Sequence, residues 1–248
     1  MISQKTQKQF KQVATTGKYY TTTAAQQMIN RYQEEEPDGL RSFMYGRHMF
    51  EMLLQAPQCE GIRIFNAFNE ENNQTLIFTA ADANGEHITN CALRTADGLV
   101  SYGDPITGGG GFCPFDCPKG GEGLEIYIQE MRHRTITDLA TAGEMMPRKK
   151  AQEMIQAYQA YEPDGVYSIL LGREIFDTIL KVPGCAGIRI FNGINEDGLH
   201  CFIVVPINAE AGNILKYLTT TASTSNWVNA PLASGGILCP FDCPMSWE

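Results

Sequence analysis

The apolar positions of this chain predict a short series of elements that is then repeated. From Ala24 to Glu35 the side chains Met28, Ile29 and Tyr32 fall at helical spacing, so an amphipathic helix is expected there. Pro37-Asp38-Gly39 stops it, because proline cannot continue a helix and Asp-Gly suits a turn. Leu40–Gln55 gathers Phe43, Met44, Phe50, Leu53 and Leu54 on one helical face, which predicts a second helix ended by Pro57. Gly61–Asn69 sets Ile62, Ile64 and Phe68 against Arg63, Phe65 and Ala67, the alternation of a strand with one buried face. Thr75–Asp82 reads as the return strand of a hairpin.

The same series begins again 126 positions later, at Met154 for Met28. Ile155 and Tyr158 repeat the first helix, Ile169, Leu170, Phe176, Ile179 and Leu180 repeat the second, and Pro183 ends it. Cys201–Asn208 repeats the return strand, reached through Asp197-Gly198, a favourable hairpin turn. More than half of the pairs between Met28–Glu70 and Met154–Glu196 are identical without a gap. They include Glu36-Pro37-Asp38-Gly39 with Glu162-Pro163-Asp164-Gly165, and Gly61-Ile62-Arg63-Ile64-Phe65-Asn66 with Gly187-Ile188-Arg189-Ile190-Phe191-Asn192. The expected fold is therefore α+β, a tandem duplication of a helix–helix–β-hairpin unit whose halves pack with pseudo-twofold symmetry. The four hairpin strands either join in one sheet or belong to two separate domains. The expected boundaries are an N-terminal extension over 1–22, a first unit over 23–118, a bridging segment over 119–148 with a helix-like stretch at Leu124–Ala140, and a second unit over 149–248. Segments 86–112 and 212–238 share little and read as loops with short strands.

Composition narrows the partners. Hydrophobic residues make up 43% of the chain, ample for a core. The net charge of −9 opposes nucleic acid or an anionic membrane, whose phosphates would be repelled over most of the surface. No window approaches the ~18 consecutive apolar residues needed to cross a bilayer. The polar N-terminus lacks the apolar core of a secretory signal, which points to the cytoplasm.

Eight cysteines are too few for a disulfide-dense secreted scaffold, so their placement carries the information. Cys113-Pro114-Phe115-Asp116-Cys117-Pro118 recurs as Cys239-Pro240-Phe241-Asp242-Cys243-Pro244. A proline after each cysteine biases it to extended backbone while the residues between them turn, which can bring the two sulfurs together. The turn suits a local disulfide, worth about 2 kcal/mol by loop entropy. It also suits a zinc site, if Cys113, Cys117, Cys239 and Cys243 all meet, since one pair supplies two ligands only. Thiol redox chemistry is a third use, although the spacing is one residue longer than CxxC. Cys59 and Cys185 also match and read as core thiols.

The shared arginines offer a second candidate. Arg63 and Arg189 lie mid-strand and Arg47 and Arg173 follow a glycine in the second helix, so the four could line a symmetric anion site or pair structurally. Histidine is a poor lead, because His48, His87 and His200 align with Glu174, Asn213 and Gln74. No HExxH, GxSxG or phosphate-loop pattern is present, and no catalytic residue is assigned.

GIRIFN leading into a hairpin, with CPFDCP closing each copy, resembles uncharacterised bacterial proteins that carry a Gly-Ile-Arg-Ile strand and end in a Cys-Pro-x-x-Cys-like tail. The resemblance covers the two strand segments and the two tails, and it implies no activity. Everything the halves share is explained by folding. The sequence thus points to a non-enzymatic structural or protein-interaction module, a subunit of a self-associating assembly, with protein partners and no cofactor. The alternative is a zinc-binding or thiol-redox protein working through the CPFDC turns.

Overall fold

The apolar run Ser42–Gly46 is where the helix–helix–hairpin reading fails. In the computed structural model, which describes residues 13–94, 100–109, 111–112, 139–220, 225–235 and 237–239, this run is a strand with all five residues buried. The predicted second helix shrinks to Arg47–Leu54, and its counterpart behaves likewise, with a strand over Ser168–Gly172 and a helix over Arg173–Leu180. A short continuous apolar run fits a fully buried strand as well as a helix face, and periodicity alone does not separate them. The expected α+β helix–helix–hairpin tandem is therefore corrected to a mixed, strand-rich α/β architecture.

In chain order the elements are β1 (Lys18–Tyr20), α1 (Thr22–Glu35), β2 (Ser42–Gly46), α2 (Arg47–Leu54), β3 (Gly61–Phe68), β4 (Gln74–Ala81), β5 (Cys91–Arg94), β6 (Val100–Gly103), β7 (Ile106–Gly108) and β8 (Gly111–Phe112). They continue with β9 (Glu144–Met145), α3 (Arg148–Tyr161), β10 (Ser168–Gly172), α4 (Arg173–Leu180), β11 (Gly187–Ile194), β12 (His200–Ile207), β13 (Lys216–Thr220), β14 (Ser225–Asn229), β15 (Leu232–Ser234) and β16 (Ile237–Cys239). Among the described residues these strands form two six-stranded sheets, β1-β15-β12-β11-β2-β8 and β16-β10-β3-β4-β7-β9, and two ribbons, β5-β6 and β13-β14.

The sheets are built by exchange between the halves. Strand β2 of the first half pairs antiparallel with β11 of the second, Gly46 opposite Gly187 and Phe43 opposite Ile190. Strand β10 of the second half pairs in the matching register with β3 of the first, Gly172 opposite Gly61 and Ile169 opposite Ile64. The hairpins β3–β4 and β11–β12 thus lie in different sheets, so neither one shared sheet nor two separate domains describes the chain.

Packing follows from the exchange. The inner faces of both sheets close on the short helices α2 and α4, burying Phe43, Ile64, Phe78, Ile169, Ile190 and Val204 in one cluster. Phe50 of α2 stacks on its own counterpart, Phe176 of α4, with ring centroids 5.7 Å apart. Full burial of one such ring contributes about 1.5–3 kcal/mol. Helix α1 covers the outer face of the β11–β12 sheet through Ala25, Met28 and Ile29. Helix α3 covers the outer face of the β3–β4 sheet through Ala151, Met154 and Ile155. Each long helix therefore shields the hairpin of the other half.

Glycine is required at the junction of β2 with α2, and of β10 with α4. A Cβ on Gly46 would overlap the carbonyl oxygens of Leu139 and Ala140, and one on Gly172 would overlap those of Val13 and Ala14. These close approaches bring the short 3-10 turns Val13–Thr15 and Leu139–Thr141 onto the strand ends. Among the described residues no helix is long and apolar enough to cross a membrane.

Candidate functional site

The four sequence-selected arginines do not meet in one site. Arg47 and Arg173 each open a helix and reach across to the end of the other one. Arg47 Nη1 donates to the carbonyls of Leu180 (2.6 Å) and Cys185 (3.2 Å), while Arg173 Nη1 donates to those of Leu54 (2.9 Å) and Cys59 (3.0 Å). Leu180 and Leu54 end α4 and α2, so each guanidinium satisfies a helix-terminal carbonyl and sits at the negative end of that helix dipole. Glu51 and Asp177, one turn along, take the Nε of Arg47 and Arg173 at 2.6 and 3.2 Å. These groups bind the two halves to each other.

Arg63 and Arg189 lie on the outer sheet faces and are 6% and 1% exposed. Each sends Nη2 to a carbonyl of the turn following its own hairpin, Arg63 to Gly85 (2.8 Å) and Arg189 to Ala211 (2.9 Å). Gly85 and Ala211 both adopt positive φ, in turns held by Asp82 Oδ1 and Asn208 Oδ1 accepting from backbone amides. Arg63 Nη1 also reaches Ser168 Oγ (3.4 Å), and Arg189 Nη2 reaches Met44 Sδ (3.0 Å). Burial pulls the Arg63 guanidinium down to about 10, still charged at neutral pH.

Around Arg63 stand polar groups that have no counterpart around Arg189. His87 Nδ1 lies 2.8 Å from Thr79 Oγ1, and the ring stacks on Phe65. Burial first, then the charges of Arg63 and Arg148, pull the imidazole down to about 4, so it is neutral near pH 7. Arg148, the first residue of α3, grips Asp104 with two bonds of 2.7 and 2.9 Å. The Asn90 amide donates to the same carboxylate at 2.8 Å. Arg148 and that amide hold the Asp104 carboxyl below the usual carboxylate range, against the opposing effect of burial. Asn90 and Asp104 flank the ribbon β5–β6, so this clamp fastens the root of the ribbon to α3.

The ribbons are the exposed feature that folding does not explain. Facing residues on paired strands share a face. In β5–β6, Leu93 is buried in the central cluster, which turns the pairs Ala92–Tyr102 and Arg94–Val100 to solvent. In β13–β14, Tyr217 packs against the same cluster, which turns the pairs Leu218–Trp227 and Lys216–Asn229 outward. Tyr102 is 79% exposed and Trp227 72%. A half-buried antiparallel ribbon ordinarily shows polar residues on its outer face. Both ribbons show aromatic and aliphatic ones, and the described ribbon residues carry Arg94 and Lys216 but no carboxylate.

The cysteine candidates are placed unevenly. Cys113, Cys117 and Cys243 lie outside the described residues, and of Cys239 the backbone alone is described, paired with Ser168 at the end of β16. Cys59, Cys91, Cys185 and Cys201 are free thiols. The Cys59 and Cys185 thiols donate to the carbonyls of Gly61 and Gly187, and burial pushes both up, away from nucleophilic thiolate. Among the described residues no group of three or more His, Cys, Asp or Glu side chains is placed to hold a metal ion.

The sequence does not single out Trp227 and Tyr102, because each sits in a segment that reads as loop with short strands and that the halves do not share. The available signal was alternation, Leu218 with Trp227 and Ala92 with Tyr102, each within a few residues of a chain reversal. His87 aligns with Asn213, which made it a poor lead, yet that mismatch marks the surroundings of Arg63 as different from those of Arg189.

The fold and its exposed ribbons define a duplicated, strand-exchanged α/β protein with two apolar surface arms. No family model, no curated protein and no solved structure matches the chain.

Proposed function

We propose that this chain is a non-enzymatic interaction module, a subunit that works by binding protein, itself included. The observation that carries the reading is the pair of ribbons whose outward faces present Tyr102, Val100, Leu218 and Trp227 to solvent. Five of the eight large hydrophobic side chains exposed among the described residues lie on these ribbons, which makes the exposure local. Contiguous exposed apolar surface marks contact sites, and tryptophan, tyrosine and arginine are the residues that anchor protein interfaces. The candidate arginines support the same reading, since their bonds are made to backbone carbonyls and to neighbouring side chains that hold the halves together. The test is the mass of the native particle taken from its source under mild conditions. A particle heavier than one chain is expected, and a free single chain would refute the reading.

A further inference from the structure

The two ends of the molecule differ in chemistry. The ribbons are rooted beside the last residues of β4 and β12, where Ile88 and Ile214 donate to the carbonyls of Ala80 and Pro206. The hairpin turns 69–73 and 195–198 lie at the other end of the same strands. The C-terminal ends of α1 and α3 come to that second end as well. Asn192 bonds the Leu40 carbonyl through its side chain, and Asn66 bonds that of Val166. The C-terminal ends of α1 and α3 are near each other, since Tyr158 of α3 feels the charge of Glu36 as well as that of Glu162. Exposed carboxylates concentrate there, with Glu34 and Glu35 in the last turn of α1, Glu36 and Asp38 just beyond it, and Glu162 and Asp164 beyond α3.

We infer that the ribbons of one copy dock on the acidic end of the next, so that the chain associates head to tail with itself. The inference rests on the interaction reading above and assigns the partner as a second copy. Three observations select that partner. Among the described residues the ribbons join apolar side chains to Arg94 and Lys216 without a carboxylate, in a chain whose net charge is −9. The complementary surface, rich in glutamate and aspartate, is carried by the same chain. Arm and acceptor lie at opposite ends of the strands, so one copy can use both at once. Such a contact is heterologous: it joins unlike surfaces and builds rings or open chains rather than a closed pair. Exposed tyrosine and tryptophan supply the apolar anchor, and the rim charges supply register and salt dependence.

The sign of the salt effect separates this from non-specific adhesion. Two copies of a strongly acidic protein repel at a distance, so added salt strengthens contacts that ignore charge, whereas it weakens contacts made by opposite charges. The experiment is sedimentation of the purified full chain over a range of concentrations, at about 0.05 M and about 0.5 M salt. It is run on wild type, on Tyr102→Ser/Trp227→Ser, and on Glu34→Gln/Glu36→Gln; all four positions are exposed. Wild type should associate, more weakly in high salt. Each variant alone should associate roughly tenfold more weakly or worse. Mixing the two variants should restore a discrete pair, because one brings intact ribbons and the other an intact acidic end. Failure of the mixture to pair, association strengthened by salt, or a wild type monomeric at every concentration would each overturn the inference. A purified chain that is monomeric while its native particle is heavier than one chain would remove the head-to-tail contact and leave the interaction reading standing.

Discussion

The surroundings of Arg63 and Arg189 show what the two halves kept and what one of them added. Both arginines bond the carbonyl of a positive-φ residue in the turn after their hairpin, through the same atom and at nearly the same distance. Beyond that they diverge. Thr79, His87 and Asp104 of the first half and Arg148 of the second stand near Arg63, and the aligned positions hold Val205, Asn213, Ala230 and Thr22. The arginine-to-turn bond therefore belongs to the fold, and the polar clamp, which joins Asp104 of the first half to Arg148 of the second, occurs on the Arg63 side. The lesson extends outward, because the clamp fixes the root of β5–β6 and the aligned residues, Ala230 and Thr22, supply no such ion pair at β13–β14.

The comparison is tested most severely where the halves should be equal. Gly46→Ala and Gly172→Ala each place a methyl against two backbone carbonyls that cannot withdraw. Each should cost about 3 kcal/mol or more, and the two costs should agree. Gly103→Ala on the ribbon, whose Cβ would meet nothing, should change stability by less than about 0.5 kcal/mol. Urea unfolding of the three variants reads all of this. A mild Gly46 variant beside a severe Gly172 one would show that the exchanged strands are not packed alike.

The next test acts where the halves should differ. His87 is held near 4, below its ordinary value of 6.5, first by burial and then by Arg63 and Arg148. As pH falls from about 6.5 toward 4 the unfolded chain takes up a proton that the folded one refuses, so stability declines across that window. The shift corresponds to at most about 3 kcal/mol. His87→Asn, which installs the residue found at position 213, should flatten that part of the profile and leave stability near pH 8 little changed. Thermal melts between pH 4 and pH 8 would show it, and an unaltered slope would mean that His87 is not the group responsible.

How far the sequence revealed this depends on where each partner lies. Helix α1 and the hairpins are written locally, in Met28, Ile29 and Tyr32 at helical spacing and in the alternation around Ile62 and Ile64. Strand β2 is not, because its neighbour β11 comes from the other half, and a run such as Ser42–Gly46 satisfies a helical face equally well. Arg47 and Arg173 were recognisable as a pair, but their roles depend on which helix end each one faces, and no pattern near residue 47 encodes Leu180. The ribbons were hidden for a different reason. Their apolar residues face solvent, so the rule that apolar means buried pointed away from them.

The smallest effect is also the one that isolates the clamp. Asp104→Ala and Arg148→Thr convert the two partners to smaller residues, alanine as at position 230 and threonine as at position 22. The pair is bidentate but partly exposed, 30% for the Arg148 side chain and 18% for Asp104, so solvent screens much of its attraction. Asp104→Ala should cost about 1 kcal/mol, because the Asn90 amide loses its acceptor together with the ion pair. Arg148→Thr should cost less, and the double variant should fall short of the sum by about 0.5 kcal/mol. The carboxyl is held below its ordinary range, so its contribution is complete above the unfolded value and disappears as pH falls through the folded one. The coupling should therefore vanish in acid. Hydrogen exchange adds a spatial check: loosening confined to β5–β6 would place the clamp at the root of that ribbon, whereas equal loosening of β13–β14 would mean that both ribbons answer to the same core and that the asymmetry has no mechanical consequence.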